Sequence, residues 1–152
     1  MLRNRFSEEL KESLRARDQR ATSTLRLILA ALKDRDIAAR GRGNRDGIGE
    51  DEVLQMLQSM VKQRRESIEA YTKGRRQDLV TQEEEEITVI ERYLPQQLGE
   101  AEASAVVTAL IGELGAASIK DMGRVMAALK ERYAGQMDMA KVSGIVKQQL
   151  TK

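Results

Sequence analysis

Residues 62–98 read KQRRESIEAYTKGRRQDLVTQEEEEITVIERYLPQQL, the pattern of a helical hairpin. Apolar residues recur at helical spacing on both sides of a short basic turn, Lys73-Gly74-Arg75-Arg76, and the run stops at Pro95, the only proline. Helices joined by so short a turn pack antiparallel. The stripe before the turn comprises Val53, Leu57, Met60, Val61, Arg64, Ile68 and Tyr71, and the stripe after it Val80, Glu83, Ile87, Ile90 and Leu94. Asp78 is placed to cap the second helix. With residues 74–77 as the turn, Arg64 falls beside Glu86 and Ile87, with Glu83 one turn away. A charge facing a core is tolerated only when paired. The register therefore predicts a structural ion pair between Arg64 and Glu86 or Glu83, with bidentate geometry open to the guanidinium.

Upstream, Leu2, Phe6, Leu10 and Leu14 mark a short amphipathic helix over residues 2–15. Asp18 can start a second helix by accepting from freed backbone donors. It runs to about Ala39, with Leu25, Ile28, Leu29 and Leu32 on one face. Residues 40–51, RGRGNRDGIGED, hold four glycines and three arginines, which predicts a mobile loop rather than regular structure. Glu50 to Glu52 then offer carboxylates to the positive start of the next helix.

Downstream of Pro95 the composition turns to small residues and fewer charges, so a domain boundary is expected at residues 95–99. Residues 1–95 form an N-terminal helical bundle and residues 96–152 a small three-helix tail, giving an all-α protein. The tail helices span 100–114, 118–134 and 138–150, and Ser118 with Asp121 approximates a capping box. Gly115 and Gly135 fall where helix ends favour left-handed backbone. Gly123 and Gly144 lie inside helical patterns, which suggests close helix approach.

Aromatics make up 3% of the chain, so its core must come from Leu, Ile, Val, Met and Ala; Met122 and Met126 read as part of it. Cysteine and histidine are both absent, which removes disulfides, thiolate chemistry and the commonest general base and metal ligand together. Glu83 to Glu86 are consecutive on a helix and point in directions about 100° apart, so they do not converge on a metal or a reacting group. Ser59 and Lys62 form an isolated Ser-x-x-Lys without its companion motifs, and no phosphate-binding glycine loop is present. No cofactor, metal or self-sufficient active site is expected. Neither a membrane-length apolar run nor an apolar signal core in MLRNRFSEEL occurs, so the expectation is a cytoplasmic protein without a membrane partner.

The net charge is +2, unevenly spread. Residues 1–76 carry 18 Lys+Arg against 12 Asp+Glu, and residues 77–98 carry 1 against 6. The candidate nucleic-acid contacts are Lys62, Arg65, Lys73, Arg75 and Arg76 with the loop arginines Arg40, Arg42 and Arg45. The bland alternative for each is a solvated helix face. Tyr71, Tyr93 and Tyr133 occupy core-like or hinge positions, so base stacking is not expected and shape-and-phosphate contact with a folded RNA fits better.

TLRLILAALK (residues 24–33), KQRRESIEAYTKGRRQDL (62–79), EEEEITVIERYLPQQL (83–98) and DMGRVMAALK (121–130) together resemble the GatB/YqeY family over nearly the whole chain. In its larger members this unit is the C-terminal part of the GatB component of the glutamine-dependent tRNA amidotransferase, and it engages the tRNA body. The catalytic portion with its ATP and metal site precedes it there and has no counterpart here. The resemblance thus implies a tRNA-holding, translation-associated protein without amidation chemistry of its own. Two rivals stand beside it. One is a protein–protein adaptor using the tail. The other is an accessory component of a carbon–nitrogen ligase (glutamine as amido-N donor) whose catalytic subunit is separate.

Overall fold

The computed structural model describes residues 1–151. Its helices are α1 (Leu2–Arg15), α2 (Gln19–Gly41), α3 (Glu50–Lys73), α4 (Gln77–Glu91), α5 (Glu100–Leu114), α6 (Met122–Arg132) and α7 (Met139–Leu150), with a 3-10 turn at Ile119–Asp121. No strand occurs among the described residues, so the protein is all-α. The chain divides into two compact units, Met1–Leu94 and the part from Pro95 onward.

In the first unit α1 to α4 bury Phe6, Leu25, Ile28, Met56, Leu57 and Ile90 in one core. Residues four apart drift by about 40° per step around a helix, so the last member of the α1 stripe leaves the face. Leu14 is 49% exposed, and Ser13 is buried in its place with its hydroxyl 2.8 Å from that of Thr22. Asp18 accepts from the Ala21 amide and starts α2. Tyr93 packs edge-on against Phe6 with ring centroids 5.0 Å apart, while Arg5 lies over its ring. Burial, together with the nearby Glu9 carboxylate, pushes the Tyr93 phenol up to about 12.

The glycine-rich segment is not the free loop expected. Helix α2 runs through Gly41, and Ile48 is buried. Arg3 on α1 donates to both Asp36 oxygens, at 2.5 and 2.8 Å, and to the Ile48 carbonyl at 2.6 Å. Asp36 also accepts from the Ile48 amide at 2.9 Å, and Glu50 accepts from the Leu2 amide at 2.9 Å. Gly47 has φ +83°, and a Cβ there would overlap the Asp36 carboxylate. Arg3 and the Ile48 amide hold the Asp36 carboxyl down to about 2.

These contacts place the start of α1 and the end of α2 at one end of the bundle. Arg20, at the start of α2, meets Glu85 and Glu86 of α4. Helix α3, at 24 residues, is about 36 Å long. Its buried side chains stop at Val61. Residues 65–85 therefore continue past the start of α2 as a two-helix arm, in which Val80 is the only buried residue among those described.

In the second unit Val107, Val125, Leu129 and Val146 are fully buried. The Asp121 carboxylate accepts from the Ala117 and Ser118 amides, and Asp138 caps α7 through the Ala140 amide. Gly115 and Gly135 adopt φ of 64° and 78°. Gly123 and Gly144 do not mark close helix approach, because a Cβ at either would meet nothing within 4 Å.

Candidate functional site

Charge is concentrated along the α3–α4 hairpin. At its neck Arg64 Nε donates to Glu86 Oε2 at 2.8 Å and stands 4.0 Å from Glu83 Oε2. No two-pronged fork forms, since the Arg64 Nη1 donates instead to the Met60 carbonyl at 3.2 Å. Glu86 is the buried carboxylate at 6% exposure. Its second oxygen lies 3.8 Å from Arg20 Nη1 and accepts from Gln82 at 3.4 Å. One carboxylate therefore ties α2, α3 and α4 together. Glu83, left at the edge of this cluster, has its carboxyl pushed up by burial and by the charge of Glu86, with Arg64 only partly offsetting.

Along the arm, Arg65, Ile68 and Glu69 of α3 face Ile87 and Glu84 of α4 across an open groove of about 450 Å³. The descending order of the facing residues is that of antiparallel helices. Among the described residues no three His, Cys, Asp or Glu side chains come together in a way that could hold a metal ion. What the groove offers is an apolar floor with mixed charge at its rim.

At the tip, Gly74 has φ −82°, and it is Arg75 that takes the left-handed conformation at φ 57°. For an L side chain this costs about 1 kcal/mol. Arg76 occupies the N-cap of α4, and Asp78 does not cap the helix: it lies in the first turn and pairs with Arg76 at 2.9 and 3.1 Å. Helix α4 begins two residues earlier than an Asp78 cap would need. That pairing raises Arg76 and lowers Asp78 from their ordinary ranges. Lys73 and Arg75 are exposed and in no ion pair among the described residues.

The remaining sequence candidates do not form one patch with the tip. Lys62 and Arg65 are exposed near the neck, Arg65 with Glu91 at 3.8 Å. Arg40, Arg42 and Arg45 are exposed ahead of the start of α3, whereas Lys73 stands at the far end of that helix, which is about 36 Å long. The hairpin tip and the glycine-rich loop thus present cations at opposite ends of the first unit.

Arg3, Asp36 and Gly47 are not legible in the local pattern because their partners lie 12 to 45 residues away or across a loop. Arg20 was missed for the same reason. The one local signal was a glycine-rich loop preceded by two aspartates, and it does not specify a partner.

No single described helix is long and apolar enough to cross a membrane. A family described as "Yqey-like protein" matches residues 3–150. The chain is 34% identical over 111 residues to Altered inheritance of mitochondria protein 41, mitochondrial, of Lachancea thermotolerans, covering 72% of this chain and 57% of the relative. The protein of that name from Saccharomyces cerevisiae is 30% identical over 88 residues, covering 58% and 45%. The one from Eremothecium gossypii is 32% identical over 89 residues, covering 59% and 46%. The chain spans about half the length of the curated relatives it matches. These relatives overturn the cytoplasmic expectation, since their names place them in mitochondria. Neither the lack of a membrane-length apolar run nor that of an apolar signal core bears on import into an organelle, since such a core marks secretion. With the match running from residue 3 to residue 150, the chain belongs to the Yqey-like protein family.

Proposed function

We propose that the chain is a tRNA-binding, translation-associated helical protein that holds a folded RNA by shape and phosphate contact and performs no amidation itself. The observation that carries this reading is the projecting hairpin with Lys73 and Arg75 exposed and unpaired at its tip, among the described residues. Phosphate binding needs cations that are not already neutralised within the protein, and most of the neck's charges are. The loop arginines Arg40, Arg42 and Arg45 supply a second set of contacts. Few aromatics are available for stacking, so the contact is with the backbone of a structured RNA rather than with splayed bases.

The test is a gel shift with bulk tRNA over a salt series. Binding that weakens steeply and linearly in log–log form supports the reading. No shift at low salt would remove it in favour of the adaptor.

A further inference from the structure

The outward face of α2 is a second candidate interface, and the proposed RNA contacts barely use it. Leu27 and Ile37 are 46% and 54% exposed there, with the exposed Ala30 between them. Leu27, Ala30, Asp34 and Ile37 follow the alternating three-and-four spacing of a coiled-coil seam. Arg26, Lys33 and Arg40 recur every seventh residue along one edge of that seam, over about 21 Å. All three are exposed, and none is in an ion pair among the described residues. The opposite face of the same helix is fully committed to the core through Leu25, Ile28 and Leu32.

We propose that this face docks an amphipathic helix from a different protein, one whose flank is acidic. Charge selects the occupant. In a parallel pairing, a second copy would set Asp34 against Asp34; in an antiparallel one, it would set basic edge against basic edge. RNA phosphate would meet the Asp34 carboxylate in mid-seam and leave Leu27 and Ile37 against solvent. An acidic flank meets Arg26, Lys33 and Arg40, and the partner's apolar residues cover Leu27 and Ile37. Opposite Asp34 the partner carries a cation or a hydrogen-bond donor.

The test uses the full chain and two synthetic helical peptides of about three heptads, each with leucine at the seam positions except for an asparagine opposite Asp34. One carries glutamate at the flanks and the other lysine. Anisotropy should show the glutamate peptide binding at least about tenfold more tightly than the lysine peptide, a difference of about 1.4 kcal/mol. Leu27→Ser with Ile37→Ser should weaken the glutamate peptide by at least about tenfold, with an unchanged thermal melt. Arg26→Glu with Lys33→Glu should transfer the preference to the lysine peptide, which loss of folding cannot do. Equal binding of both peptides would overturn the proposal, and so would full affinity in the serine variant. It would also be overturned if the serine variant lost bulk tRNA binding, or lost a dimer that the unmodified chain forms. Arg26 and Lys33 lie outside the cations assigned to RNA, so failure here leaves the RNA reading standing.

Discussion

Arg64 on α3 donates through Nε to the Glu86 carboxylate on α4 at 2.8 Å, with both side chains largely out of solvent. Removing one partner of such a pair leaves the other charge buried and alone, at a cost of about 3 kcal/mol. In a double-mutant cycle by urea unfolding, Arg64→Ala and Glu86→Ala should couple by about 1–3 kcal/mol. The cycle of Arg64→Ala with Glu83→Ala should show far weaker coupling, given the 4.0 Å separation.

Glu83 should respond with the opposite sign to its neighbour. Its carboxyl is pushed up, so ionisation is less favourable folded than unfolded. Stability is lost as pH rises past the unfolded carboxylate range, and the loss is complete above the folded value. Glu83→Gln should therefore raise the urea midpoint at pH 7, with no gain below about pH 4. Glu86→Gln should lower it at pH 7.

The Arg3–Asp36–Gly47 lock should dominate the acid limb of stability. Asp36 is held down to about 2. Its contribution is present above the unfolded value of about 3.9 and is lost as pH falls from there through about 2. Solvent at the helix end screens the pair, so the contribution is about 1 kcal/mol. Asp36→Asn should flatten the pH profile in that window. Gly47→Ala should cost about 1–3 kcal/mol at any pH, because it combines positive φ with overlap of the carboxylate.

The helices were legible because the apolar period is visible in sequence, from Leu25 and Ile28 on α2 to Val142 and Val146 on α7. Periodicity also places Arg64 level with the Glu83–Glu86 run, but the choice between the two carboxylates depends on Arg20, which arrives from a third helix. The loop was misread because glycine density reports backbone freedom and is silent about anchors such as Asp36. At the tip, the sequence places the turn at residues 74–77 but does not say which of them turns left-handed; that conformation falls on Arg75, not on Gly74. Relations between distant segments are what local pattern cannot supply.

That placement separates stability from binding. Arg75→Gly should relieve the left-handed strain and stabilise the fold by about 0.5–1 kcal/mol. The same change removes an exposed tip cation and should weaken tRNA binding. A variant that melts higher yet binds less would separate a role in binding from a role in folding. Unchanged tRNA affinity would remove Arg75 from the interface.

Contact between the hairpin tip and RNA phosphate is read from the salt dependence of tRNA binding. The measurement is the log–log slope of affinity against salt for the unmodified chain and for Arg75→Glu with Arg76→Glu. Each lost phosphate contact removes just under one unit of slope, so a weaker affinity and a slope shallower by about one to two units is the expected result. Arg76 is already held by Asp78, which favours the lower figure. An unchanged affinity with an unchanged slope would contradict the claim.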